Sequence, residues 1–204
     1  MVRLGFLPVT AFAGIMGIAT LLHWDKFTPG HPSFIAWAVL YFVLPFVIPV
    51  VWFLNQRASP AGAPRSEAVL SLYLRVTIGA VGVSLAGAGT VLLLAPAWMM
   101  PLWPWAMSPL TARVMSAMFS LAGWVSLGVA RDGHWSSARV IFGAQTIAVV
   151  LFLLAIGLSR AEIQWSMVTS YSLVGGMLLS LGLIAAAGIQ TLRVRRRTVH
   201  AVVR

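Results

Sequence analysis

Residues 34–54 read FIAWAVLYFVLPFVIPVVWFL, a run with no charged side chain and without the apolar–polar alternation of a half-buried strand. A stretch of that length and uniformity can cross about 30 Å of hydrocarbon as a helix. Five further apolar runs accompany it: Gly5 to His23, Ala68 to Ala95, Ala112 to Ala130, Arg139 to Leu158 and Met167 to Gln190. Strands of a membrane barrel would alternate over about ten residues, so the continuous runs predict helices. Composition agrees. Of 204 residues, 60% are hydrophobic and 9% charged, against about 25% charged in a soluble domain, and the mean hydropathy is +0.93. A soluble core of this size could not hide so much apolar surface, so lipid is the expected solvent. The expectation is an all-α, polytopic bundle of six transmembrane helices over residues 1–192, followed by a basic tail over 193–204. The first run follows Arg3 but ends in His23-Trp24-Asp25 with no small-x-small cleavage site, and reads as a retained helix.

Basic residues set the expected orientation. In an alternating six-span arrangement Arg3, Arg57, Arg65, Arg75, Arg131, Arg139, Arg193, Arg195, Arg196, Arg197 and Arg204 fall on one side, and Lys26, Arg113 and Arg160 on the other. That bias places both termini in the cytoplasm and the chain in a bacterial cytoplasmic membrane. The net charge of +10 comes from these flanking positions rather than from a soluble basic patch, so nucleic acid is not an expected partner. The absence of cysteine excludes disulfides, thiolate metal sites and thiol redox chemistry.

Within the second run Pro45 and Pro49 each remove a backbone donor and crowd the carbonyl one turn earlier. A kink over Tyr41 to Pro49 is expected, either as a packing feature or as a helix break whose free carbonyls at Tyr41 and Pro45 hold a ligand. Small residues at helical spacing, Ala80-Ser84-Ala88 and Gly82-Ala86-Thr90 in the third run and Ser172-Gly176-Ser180 in the sixth, predict close helix packing.

Ionisable groups inside a span usually mark function. Here Asp25, Glu67, Asp132 and Glu162 all fall at or outside run ends, and His23, His31, His134 and His200 do likewise. No paired-carboxylate, nucleophile-elbow or phosphate-loop pattern can be assembled, and no catalytic residue, metal or cofactor is expected. His23, Asp25 and His31 share one loop, but Lys26 between them argues against a metal.

The segment Pro96 to Leu110 has no charge, four prolines and three tryptophans. The prolines forbid a continuous helix, and the tryptophans favour the headgroup level. Trp98, Met99, Met100, Trp103, Trp105 and Met107, with Arg113, form the candidate surface for a lipid, another apolar molecule or a partner helix. An aromatic belt is the simpler account of it. Ser108-Pro109 has the form of an N-cap with proline at the first helical position, which places Arg113 about one turn into the fourth run. A cation there needs a partner or a route to the headgroups, and Asp25 and Glu162 are the acids on its side. An ion pair of Arg113 with one of them is expected.

The segments His23-Trp24-Asp25-Lys26-Phe27 and Trp103-Pro104-Trp105-Ala106-Met107-Ser108-Pro109-Leu110-Thr111-Ala112-Arg113 are similar to segments of a group of bacterial six-helix membrane proteins, in which leucine and threonine more often stand at the positions of Met107 and Ser108. That group has no established activity, so the resemblance implies no catalytic residue. It implies that the two outer loops form a shared site. The functional expectation is a non-enzymatic accessory or scaffold subunit, or a binder of lipid or another apolar molecule, with membrane lipid and other membrane-protein subunits as partners. A small transporter or channel using the Pro45/Pro49 break is the alternative.

Overall fold

In lipid no water satisfies the backbone, so an apolar run must close its hydrogen bonds within itself, as a helix does. The computed structural model of the chain describes residues 6–58 and 69–202, and it is all-α. Its helices are α1 (Phe6–Leu22), α2 (Pro32–Ala58), α3 (Leu72–Leu94), the short α4 (Pro96–Met99), α5 (Pro109–Asp132), α6 (Trp135–Leu158) and α7 (Val168–Val202), with 3₁₀ turns at Trp24–Lys26 and Met100–Leu102. Five of these, α2, α3, α5, α6 and α7, are long and apolar enough to cross a bilayer, and α1 is a shorter apolar helix of 17 residues. The chain is a multi-pass membrane protein. Arg3, Gly5, Arg65, Glu67, Ala68 and Arg204, named above, lie outside the described residues.

The distribution of side chains fits that solvent. Large apolar residues point outward, with Phe46 74%, Leu94 74% and Leu158 89% exposed. Small residues share the interior with larger ones: Ala13, Ala19, Ala112, Ala117, Ala138, Ala187, Thr20, Ser116 and Ser170 are buried, as are Leu74, Leu92 and Val129. Without a hydrophobic drive between helices, close backbone approach and interhelical hydrogen bonds hold them together, and small residues permit both.

Helix ends follow local chemistry. Ser108 caps α5, its hydroxyl accepting from the Thr111 N–H at 3.2 Å, with Pro109 as first helical residue, as the Ser-Pro pair predicts. His31 does the same for α2: its Nδ1 accepts from the Ser33 N–H at 3.3 Å, and Pro32 opens the helix. The third run begins its helix at Leu72 rather than at 68. Val69 instead forms an isolated antiparallel bridge with His134, Leu70 N–H donates to the Gly133 carbonyl at 2.9 Å, and Ser71 caps the helix through the Leu74 N–H at 3.4 Å. α7 continues through the basic segment from 193 to Val202.

The chain divides into two compact units. One comprises Met1–Pro64, Val81–Pro101 and Met107–Gly128, and the other Arg65–Ala80, Leu102–Ala106 and Val129–Arg204. In the first, α1 packs along α2, and α3 meets α5 backbone to backbone. A Cβ on Gly123 would stand 2.6 Å from Ala86 N, and one on Gly89 would stand 2.6 Å from Ser120 Oγ and 3.0 Å from Ser116 O. Of the small-residue stripes expected to pack closely, Gly82 and Ala86 meet α5, with Gly89 rather than the exposed Thr90 continuing the seam. Ala80, Ser84, Ser172 and Gly176 are exposed instead. In the second unit α6 packs on α7, presenting buried Ala138, Phe142, Val149 and Ile156 on one face.

Candidate functional site

The turn between α1 and α2 gathers most of the polar chemistry of the first unit. After α1 the chain makes one 3₁₀ turn, Trp24–Lys26, and then runs to Gly30, whose φ of +94° is a conformation that favours glycine. The turn is pinned by aromatic rings. Trp24 and Phe34 meet edge to face at 5.0 Å, Phe27 lies 5.3 Å from Phe34 and 6.3 Å from Trp37, and Trp37 lies 4.6 Å from Tyr41. Trp37 also donates its indole N–H to Thr20 Oγ1 at 3.0 Å, so the ring ladder is tied to α1 by a hydrogen bond inside the helix pair. An open depression of about 410 Å³ results, lined by Lys26, Phe27, Thr28, His31, Ser33, Phe34 and Trp37. It is shallow, with apolar walls and polar groups at its edge.

Charges around this turn pair differently from the expectation. Asp25 meets Lys26 at 3.1 Å, and that neighbour holds its carboxyl below the usual carboxylate range. Arg113 meets a histidine: its Nη1 lies 2.7 Å from His23 Nε2. The predicted Arg113–Asp25 pair is therefore replaced by two others. Asp25 has a cation adjacent in sequence on the same 3₁₀ turn, so ordering that pair requires no further loop closure, whereas His23 at the end of α1 faces the first turn of α5. Glu162, the other acid considered, belongs to the second unit. His23 and His31, considered with Asp25 as metal ligands, are each engaged otherwise, by Arg113 and by the α2 cap. Among the described residues no group of three His, Asp or Glu side chains is placed to hold a metal.

The residues of the tryptophan-rich segment differ in exposure and are divided between the two units. Pro96 opens the short α4, and the chain then turns through Met100–Leu102, as four prolines require. Trp98 is 76% exposed, while Met99, Met100 and Met107 are half-buried. Trp103 is only 6% exposed and is a core residue of the second unit, packed edge to face with Trp105 at 5.4 Å. There the Pro104 carbonyl accepts from the Gln164 N–H at 2.7 Å. Of the seven residues proposed as a surface, Trp98, Met99, Met100, Met107 and Arg113 belong to the first unit, and Trp103 and Trp105 to the second.

Pro45 and Pro49 do not break α2, which is continuous from Pro32 to Ala58. The Tyr41 carbonyl, deprived of its intrahelical donor by Pro45, faces Gly17 of α1, where a Cβ would stand 2.9 Å from it. A helix packs on that carbonyl, which accounts for it without a ligand.

Sequence reasoning missed a polar cluster at the start of α3. Arg75 donates from Nε to the Ala130 carbonyl at 2.9 Å and from Nη2 to the Arg131 carbonyl at 3.1 Å, satisfying acceptors in the last turn of α5. Gly133, at φ +71°, closes that helix through its N–H to the Val129 carbonyl. Gln190 Oε1 accepts from the Ser71 N–H at 3.3 Å. Arg75 inside an apolar run was the available signal. Comparison with known proteins adds no relative: no family model, no curated protein and no solved structure matches the chain.

Proposed function

We propose that this chain is a six-span protein of a bacterial cytoplasmic membrane, with both termini in the cytoplasm, that holds a membrane lipid or similar amphiphile at its outer face and performs no bond chemistry of its own. Such a protein serves as an accessory subunit in the membrane. Counting α1 as a span is supported by its 17 described residues, at the lower end of the length that crosses hydrocarbon. Alternation is supported by which helix ends meet within each unit. The end of α1 lies by the start of α5 through His23 and Arg113, and the start of α3 lies by the end of α5 through Arg75.

The observation that carries the reading is the aromatic depression between α1 and α2. Phe27, Phe34 and Trp37 offer apolar walls suited to an acyl chain or ring, and Lys26, Thr28 and Ser33 offer polar groups to the head of the same molecule. The experiment is native mass spectrometry of the protein purified in mild detergent. The wild type should carry copurified lipid, and the double variant Phe27→Ala/Phe34→Ala should lose it while remaining monodisperse. A wild type that runs as a lipid-free, partner-free monomer would overturn the proposal.

A further inference from the structure

An arginine carries five N–H donors and no acceptor. The 2.7 Å approach of Arg113 Nη1 to His23 Nε2 is therefore a hydrogen bond only when Nε2 offers its lone pair, as it does in an imidazole whose proton is on Nδ1. We infer that His23 and Arg113 form a proton-sensitive latch: closed while His23 is neutral, it fastens the turn 23–31 to the first turn of α5, and uptake of one proton at Nε2 opens it. Protonation converts the acceptor to a donor and sets an imidazolium against a guanidinium, so attraction becomes repulsion. The inference stands on this geometry and not on what the depression binds.

Three features make the contact a latch rather than one bond among many. The bond to His23 is the side-chain hydrogen bond that Arg113 makes among the described residues, and its Nε is buried without a partner. Asp25, the acid that could neutralise an opened pair, is occupied by Lys26. The rings of Trp24 and Phe27 hold the turn against Phe34 and Trp37 of α2, so the bond from His23 is what ties it to α5, while Asp25, Lys26 and Thr28 are exposed.

The other titratable groups of this unit among the described residues are Asp25 and Lys26 on the same turn, His31 at the start of α2, and Tyr41 and Arg57 further along α2. Lys26 beside Asp25 lowers the pKa of that carboxyl, and the pair is exposed. His31 needs a control, because its Nδ1 also acts as an acceptor, for the Ser33 N–H.

The test is hydrogen–deuterium exchange of the full chain in lipid nanodiscs at pH 8 and pH 5, the range in which imidazoles change charge, corrected for intrinsic exchange. The reporters are the Lys26 and Phe27 amides, which donate to the His23 and Trp24 carbonyls. In the wild type and in His31→Gln, protection of these amides should fall about tenfold or more at pH 5, the scale of one hydrogen bond to a charged group. In His23→Gln, whose amide oxygen accepts but does not titrate, protection should be equal at both pH values, and in His23→Ala it should be low at both. Equal protection in the wild type at the two pH values, or a wild-type fall retained in His23→Gln, would overturn the latch.

Discussion

At Gly17 a hydrogen stands where any other residue would place a carbon 2.9 Å from the Tyr41 carbonyl. That carbonyl is the one that Pro45 leaves without a donor, so the two positions act together: proline frees the oxygen, and glycine lets α1 reach it and turn a Cα–H toward it. Gly17→Ala should push α1 from α2 and cost about 1–3 kcal/mol, the range for overpacking a close contact, read as a lower midpoint in thermal unfolding in mild detergent. Trp37→Phe keeps the ring ladder but removes the hydrogen bond to Thr20, and should cost about 0.6 kcal/mol and no more than about 1.7, the range for hydrogen bonds between membrane helices. Arg113 shows what a single sequence can reveal at this scale. Scarcity of charge singles it out as a residue in need of a partner, but counting acids overlooks the ring nitrogen of His23. Only the spatial meeting of the end of α1 with the start of α5 supplies it. The Trp103 indole misleads for a related reason: tryptophan favours the interface on average, yet this one is buried beside Trp105 by the path of the chain through Pro104.

The helix is the scale at which the sequence is most legible, because length and apolarity alone force helical structure in lipid, and the described elements follow the six runs with one short helix added at Pro96–Met99. Seams between helices are half legible. The Gly82–Ala86 stripe is visible on α3, but its counterpart on α5, Ser116, Ser120 and Gly123, reads as scattered small residues until the two backbones are seen together. A Cβ at Gly123 would meet Ala86 N at 2.6 Å, and a backbone atom cannot rotate away as a side chain can. Gly123→Leu should therefore cost about 3 kcal/mol or more, at the upper end of overpacking. Gly143→Ala, with nothing within 4 Å of its new Cβ, should leave the unfolding midpoint unchanged or raise it. Equal midpoints for the two variants would remove the seam from the account of stability. At the other end of the same two helices, Arg75→Met keeps the aliphatic stem but strands the Ala130 and Arg131 carbonyls. It should cost about 1.5–3 kcal/mol, the worth of hydrogen bonds to a charged group. Sequence reading treats Arg75 only as a marker of sidedness. Its role as a clamp on α5 depends on Gly133, whose left-handed conformation turns the chain so that Val69 and Leu70 can pair with it and His134.

For the whole molecule the proposal that matters most is topology, since it decides which solution each candidate group meets. Eleven of the basic residues fall at one set of helix ends and three at the other under alternating spans, a bias that favours the cytoplasm for the first set. The contacts within each unit fit alternation independently of charge, because each joins helix ends that alternating spans place on one side of the membrane. Arg75 and Gln190 together bring the start of α3 to the end of α5 and to the later turns of α7. The Gln164–Pro104 bond joins the segment before α7 to the segment before α5. An even number of spans follows only if α1 crosses the membrane, and its apolar composition throughout Phe6–Leu22 argues that it does. Reporter fusions after Arg65, Arg131 and Arg204 should read cytoplasmic, and fusions in the turns around Gly30, Trp103 and Glu162 should read external. The decisive pair is the amino terminus against Gly30. If α1 lay along the interface instead of crossing, the described helices would give five spans, and the amino terminus and the turn at Gly30 would share one side. Opposite readings for a fusion at the amino terminus and one at Gly30 would establish the six-span arrangement, and with an external Gly30 they would place His23, Arg113 and the aromatic depression at the outer surface. Matching readings would reduce the count to five.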